Sequence, residues 1–342
     1  MTVSQASLLD ELAAVSARIG SDPLLVQGPG GNTSIKSGDE IWVKASGVWL
    51  AEAERSNIFV GLSLSRARDL AARSAGEDLG AACLPNNDPR LRPSIEALLH
   101  VLMPHPAVLH AHAVGSMTLS VLADGRERAR TALAGLDWAW VPYHRPGAPL
   151  AAATAETLGG RKADVLILQN HGVVTGGTTP SDAEAILREV ERRLTWPVRH
   201  SSESASSAAT ERYEALTELG SLAHDASMFE LATSAALFPD QVVFLGGAVP
   251  FAGPNESIES AADRCEATSG VLPALILVPG VGAFGLITRT PAANAVIQGL
   301  FEVARRVPAG AETTSLPDAA VAELLGWEAE AHRVKLSRKQ GK

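Results

Sequence analysis

The 342 residues are 46% hydrophobic and carry a formal net charge of −9, enough apolar material for one large domain or two and no basic stripe for nucleic acid. Two lone cysteines, Cys83 and Cys265, fit a reducing compartment, no basic-then-apolar leader follows Met1, and no apolar run nears the roughly 20 residues that span a membrane. A cytoplasmic protein with neither a nucleic-acid nor a membrane partner follows, and it must hold any anionic substrate by a local device.

Leu8, Leu9, Leu12, Val15 and Ile19 recur at helical spacing, closed by Gly20. Gly28–Ser34 is a glycine-dense turn whose N–H groups suit an anion, or it is an ordinary loop. A strand pair follows, Thr33–Lys36 and Ile41–Lys44, joined at Gly38-Asp39. Lys44-Ala45-Ser46-Gly47 is a second turn, carrying a cation and a hydroxyl for a phosphate or carboxylate, or simply reversing the chain. Residues 63–92 read as a helix and a long surface loop. Pro93–His100 opens a helix that ends before Pro104, with Ser94 and Glu96 in its first turn. The helix dipole favours a carboxylate there, which by itself accounts for Glu96. His100 lies one turn on, where it could orient Glu96; a surface position is the expectation.

Val108–Ala113 reads as a buried strand between Pro106 and Gly115. Residues i and i+2 of a strand share a face, so His110 and His112 project together, about 7 Å apart along the backbone. Two neutral imidazoles there suit zinc, copper, iron or nickel, or they are satisfied core histidines. The best candidate for a third ligand is His171, in Asn170-His171-Gly172. Glu96 can lie near them if the start of its helix faces the strand's C-terminal end.

Further on, Gly115–Leu122 reads as a helix and Asp137–Val141 as a strand. Leu150–Leu158 is a helix closed by Gly159-Gly160, and Val165–Leu168 is a strand running into the 170–172 turn. Thr179-Pro180 starts a helix with an N-cap hydroxyl and proline at the first helical position. The Ser/Ala-rich residues 201–209 mark a composition break, giving domains 1–200 and 210–342. Helices near 210–237, strands Gln241–Leu245 and Ala274–Val278, and a long helix Pro291–Arg306 complete the chain. Leu275–Gly282 echoes Leu166–Gly172, and each is followed by a Thr-containing turn, a proline and an Ala-rich helix. This is either a degenerate repeat that lacks the histidine or a coincidence.

Gly31-Asn32, Ser46-Gly47, Pro93–Glu96, His110-Ala111-His112 and Asn170-His171-Gly172 stand together in an order and spacing that resembles the class II aldolase/adducin family. The resemblance covers roughly the first 200 residues. Lys44–Gly47, Pro93–His100 and Val141–Gly147 are most similar to the aldolase half of bifunctional rhamnulose-1-phosphate aldolase/alcohol dehydrogenases. Phe238–Gly246 and Trp327–Glu330 resemble the continuation of that half, and no Gly-x-Gly-x-x-Gly follows a strand. The resemblance implies an α/β fold: a central mixed, largely antiparallel sheet flanked by helices, with a C-terminal α/β extension. It implies a divalent metal, usually zinc, on His110, His112 and His171, and Glu96 as catalytic acid/base. It gives Gly31, Asn32, Ser46, Gly47 and Ser94 to substrate or phosphate, and Lys44 reads better as an anion clamp, or a surface cation, than as a nucleophile. Ile95 stands where fuculose-type enzymes carry a second serine, which weakens a phosphate site without excluding it. The implied reaction is retro-aldol cleavage of a ketose 1-phosphate to dihydroxyacetone phosphate and an aldehyde, through a metal-stabilised enediolate. A sugar-phosphate epimerase or a keto-acid decarboxylase would use the same site. The adducin branch offers a non-catalytic scaffold instead, against which the retained histidines and Glu96 argue. A homo-oligomer, often a tetramer, is implied as well.

Overall fold

The computed structural model describes residues 5–72, 78–199, 209–328 and 330. The chain forms two compact units, one of Met1–Ser120 with Asp124–Thr195, the other of Val121–Ala123 with Trp196–Lys342. Residues 200–208, which hold nearly all of the composition break, lie outside the described residues.

The first unit opens with helix α1 (Gln5–Gly20), strands β1 (Asn32–Ser37), β2 (Glu40–Lys44) and β3 (Phe59–Ser63), and helices α2 (Leu64–Ala72) and α3 (Ala97–Leu102). It continues with β4 (Ala107–Ala111), α4 (Val114–Ser120), α5 (Gly125–Ala132), β5 (Trp138–Val141), α6 (Ala148–Leu158), β6 (Val165–Leu168), β7 (Gly172–Gly177) and α7 (Pro180–Arg193). Seven strands form one sheet in the order β3-β2-β1-β4-β7-β6-β5. Neighbours run antiparallel except β5 and β6. The α/β architecture with a largely antiparallel sheet is therefore as expected.

Alternate residues of a strand face opposite ways. On β1, Thr33 Oγ1 lies 2.7 Å from Ser16 Oγ of α1, whereas Ser34 Oγ lies 2.8 Å from His100 Nδ1 of α3. Helices α1 and α3 thus cover opposite faces. Beneath α3 and α6, Leu99, Met103, Val108, Leu150, Leu166 and Val174 form a buried cluster, each large side chain contributing about 1.5–3 kcal/mol by leaving water. Thr179 starts α7 with a reciprocal box, accepting from the Asp182 N–H while the Asp182 carboxylate accepts from its own N–H.

The second unit contains β8 (Tyr213–Ala215), α8 (Ser221–His224), α9 (Ala226–Ser234), α10 (Pro239–Leu245), α11 (Ile258–Ser269), β9 (Leu275–Val278), β10 (Gly282–Leu286), α12 (Pro291–Ala304) and α13 (Asp318–Gly326). Its three strands pair antiparallel in the order β8-β10-β9. Tyr213, Ile276 and Phe284 pack there with Ala261 and Ala262.

Four expectations need correction. Gln241–Leu245 is helix, not strand: Pro239 presets the first turn and Gly246 closes it at φ 86°, which outweighs the strand preference of Val242 and Val243. The stretch expected as helices near 210–237 opens instead with strand β8. Strand β4 stops at Ala111, so His112 stands just beyond it. His100 is fully buried rather than on the surface. No single helix among the described residues is long and apolar enough to cross a membrane.

Candidate functional site

Two close approaches bring the histidines together. Antiparallel pairing sets Asn32 opposite His110 on one side of β4 and Val174 opposite it on the other. At Gly31 (φ +65°) a Cβ would stand 2.8 Å from the His110 carbonyl oxygen, and at Gly172 one would stand 2.4 Å from that of Ala111. Only glycine lets both neighbouring chains come so near the end of β4. His171 rides on the tight β6–β7 turn, where Asn170 adopts φ 53° and the His171 N–H donates to the Leu168 carbonyl.

His110, His112 and His171 are all buried, and their ring centroids lie 4.9–5.2 Å apart. One nitrogen from each ring lies within 4.8 Å of the others. With zinc–nitrogen bonds of about 2.0–2.1 Å, the three rings could share one ion once they draw together. His110 Nδ1 lies 3.0 Å from the Val173 carbonyl. A carbonyl only accepts, so Nδ1 carries a proton, which leaves Nε2 as this ring's ligand atom for a metal. Three buried imidazoles with one ring preset in this way fit a borderline divalent ion.

Glu96 sits at the N-cap of α3 and its side chain does not cap the helix. Its carboxylate points to the histidines instead, Oε2 lying 3.5 Å from His110 Nε2 and Oε1 3.3 Å from His171 Nε2. The Asn32 amide donates to Oε2 at 2.8 Å, and the Glu96 N–H donates to Ser94 Oγ at 3.2 Å. Helix-end stabilisation does not account for this placement. Behind it, burial pushes His100 down to about 3, with the neighbouring His110 adding to the shift, so this ring brings no charge to the cluster at neutral pH.

The other expected positions are tied to the segments that carry Asn32 and Glu96. Lys44 is 2% exposed and donates to the carbonyls of Pro29 and Gly31 at 2.8 and 2.9 Å. The clamp expected for an anion thus first clamps the glycine-rich turn. The Ser46 N–H donates to the Arg92 carbonyl, the Ser94 N–H to that of Lys44, and Ala45 bridges Pro93. These bonds tie the turn containing Ser46 and Gly47 to the segment leading into Glu96. Sequence reasoning missed Glu191. Its carboxylate accepts from the N–H groups of Gly115 and Ser116 at 2.8 and 3.0 Å, anchoring the helix that follows His112. Seventy-five residues separate the partners, and no local pattern announces the contact.

Comparison with known proteins places this constellation in a family. The class II aldolase and adducin N-terminal domain matches residues 10–196. The uncharacterized oxidoreductase YuxG of Bacillus subtilis (strain 168) is 35% identical over 206 residues, which are 54% of this chain but only 29% of that protein. The chain therefore spans under a third of that relative's length. Among solved structures, the N-terminal class II aldolase domain of a conserved Thermoplasma acidophilum protein is 27% identical with a TM-score of 0.48, covering 57% of this chain and 95% of that one. A sugar-phosphate aldolase from Thermotoga maritima is 15% identical with a TM-score of 0.44, covering 55% and 92%. The matched segment takes in all three histidines and Glu96, and by that match the chain belongs to the class II aldolase and adducin N-terminal domain family.

Proposed function

We propose that this protein is a metal-dependent aldolase that cleaves a ketose 1-phosphate of the rhamnulose or fuculose type into dihydroxyacetone phosphate and an aldehyde. The observation that carries this reading is a carboxylate 3.3 and 3.5 Å from two members of a buried three-histidine cluster. His110, His112 and His171 would hold the ion, with zinc the first choice for three imidazoles. When bound, it supplies Lewis-acid polarisation of the ketose carbonyl and stabilises the charge released as the carbon–carbon bond breaks.

The chain's own groups supply the rest. Glu96 takes the proton from the C4 hydroxyl as the C3–C4 bond breaks; C4 leaves as the aldehyde, and the electron pair passes from C3 toward the C2 oxygen. Glu96 then returns a proton to C3, which balances the reaction and regenerates the carboxylate. A positioned acid/base contributes about 10²–10⁴-fold. Asn32 orients the Glu96 side chain by donating to Oε2. Gly31, Asn32, Ser46, Gly47 and Ser94 are assigned to the substrate's phosphate end, with Lys44 fixing the turn beneath them.

The test is elemental analysis of the purified protein, followed by a panel of ketose 1-phosphates, pentulose phosphates and keto acids with and without chelator. One equivalent of divalent metal and chelator-sensitive cleavage of a ketose 1-phosphate are expected. Turnover of only a pentulose phosphate or a keto acid would replace aldol cleavage by epimerisation or decarboxylation. A protein that takes up no metal would be a scaffold.

A further inference from the structure

β1 presents Asn32, Ser34 and Lys36 on one face, and each meets the segment 96–105. Asn32 holds Glu96, Ser34 is hydrogen-bonded to His100, and Lys36 donates to the carbonyls of Met103 and His105. These rungs tie a short helix to a strand residue by residue. Of the two rungs that the proposed reaction does not touch, the middle one lies nearer Glu96 along the chain. Ser34 and His100 are both fully buried, and His100 Nε2 meets no polar partner among the described residues. A buried unsatisfied nitrogen costs about 1–3 kcal/mol, which leucine would avoid. A polar group kept in such a place suits a role in setting register.

Helix α3 needs such a device. Six residues are too few for a helix to hold itself, and its contacts through Leu98, Leu99 and Val101 are apolar and non-directional. Upstream of Glu96, the Ser94 N–H ties the chain to β2 through the Lys44 carbonyl. Downstream, the His100–Ser34 bond, one turn on, supplies the first directional tie to β1, ahead of the Lys36 bonds to the Met103 and His105 carbonyls.

We propose that His100, acting through Ser34, is a positioning residue that keeps Glu96 in register with His110 and His171. This rests on reading Glu96 and the histidines as one metal-assisted site. A displacement of about 1 Å at a reacting group costs about 100-fold in rate, so a helix free to slide along β1 would lose most of the benefit of its carboxylate.

The experiment uses the full chain loaded with cobalt(II), whose visible spectrum reports the ion's surroundings whether or not a substrate is known. The variants are Ser34→Ala, His100→Leu, His100→Asn and the Ser34→Ala/His100→Leu pair, with Glu96→Gln as reference. All should bind cobalt at wild-type stoichiometry, because the three ligands are untouched. Ser34→Ala and His100→Leu should shift the spectrum in the direction of Glu96→Gln, and the pair no further than His100→Leu alone. His100→Asn, whose amide replaces the Nδ1 bond to Ser34, should return it to wild type. With a substrate that the wild type turns over, kcat should fall about 100-fold in His100→Leu at near-constant KM and recover in His100→Asn.

A wild-type spectrum and kcat in His100→Leu, with only a lowered Tm, would overturn the proposal. A Glu96→Gln spectrum identical to wild type would overturn it too, since Glu96 would then have no place at the ion to be held in. Should His100→Leu fail to fold, Ser34→Ala decides by the same criteria. Absence of turnover in the wild type refutes the aldolase reading alone, and the spectra still decide this one.

Discussion

In the hairpin β6–β7, Leu168 pairs with Gly172 and Val165 with Thr175; in β9–β10, Val278 pairs with Gly282 and Leu275 with Gly285. The turns agree as closely. Asn170 and Gly280 adopt φ 53° and 68°, and Gly172 and Gly282 adopt 156° and 157°. The His171 N–H donates to the Leu168 carbonyl, as that of Val281 does to Val278. A Thr-Pro cap follows each hairpin, at Thr179-Pro180 and Thr290-Pro291. The flanking strands also correspond. His110 stands opposite Val174 as Ala215 stands opposite Phe284, and Trp140 lies parallel to Ile167 as Phe251 does to Leu277. The echo in the sequence is therefore an echo in the fold. Where one unit carries His110, His112 and His171, the other carries Ala215, Thr217 and Val281. The tip histidine is 4% exposed and the tip valine 39%. The two units share a backbone frame, and on the proposed reading what distinguishes the first is its three histidines and the carboxylate brought to them.

The sharpest way to break this contrast is to give the first turn the residue of the second. His171→Val should fold, because β9–β10 accommodates valine there, but metal affinity should fall by about 100-fold or more and turnover should vanish. Equilibrium dialysis and a rate assay check both. Glu96→Gln comes next, with kcat down about 10²–10⁴-fold and metal retained by elemental analysis; an unchanged rate would refute the acid/base role. Gly172→Ala should destabilise by about 1–3 kcal/mol in urea unfolding, since its Cβ would meet the Ala111 carbonyl at 2.4 Å.

The polar face of β1 gives a pH signature. Burial, helped by nearby Arg68, lowers Lys36 to about 7 from 10.5. Below pH 7 both folded and unfolded chains hold the proton, whereas between 7 and 10.5 only the unfolded chain does. Lys36 therefore makes stability rise with pH across that window, and Lys36→Met should flatten the rise in urea titrations at pH 7 and 9.5. The smallest effect belongs to the second turn. Gly280→Asn, which copies Asn170, meets open space at a φ that asparagine tolerates, and its Tm should move by only a degree or two for about 0.5 kcal/mol or less.

Strong local punctuation made much of the first unit legible. Gly159 and Thr179-Pro180 mark helix ends that the structure reproduces, and the His-x-His run lies where β4 ends. Strand β3 escaped notice because Phe-Val-Gly-Leu-Ser is buried on both faces and shows no alternation. Helix α5 escaped because Gly-Arg-Glu-Arg-Ala-Arg has no apolar stripe. Burial of His100 was hidden for another reason: its partner lies 66 residues away, and only tertiary packing makes a polar ring acceptable there. The spacing overran the strand, since β4 ends at Ala111, yet it rightly brought the His110 and His112 rings together, 5.0 Å apart.

The acceptor that fixes the His110 ring is a main-chain oxygen, that of Val173. No replacement at position 173 can delete a carbonyl, so this ring orientation is insulated from sequence drift as long as the strand pairing survives. A library randomised at 173 should therefore retain metal capture across most small and branched apolar residues, with proline, which gives up a ladder hydrogen bond, among the failures.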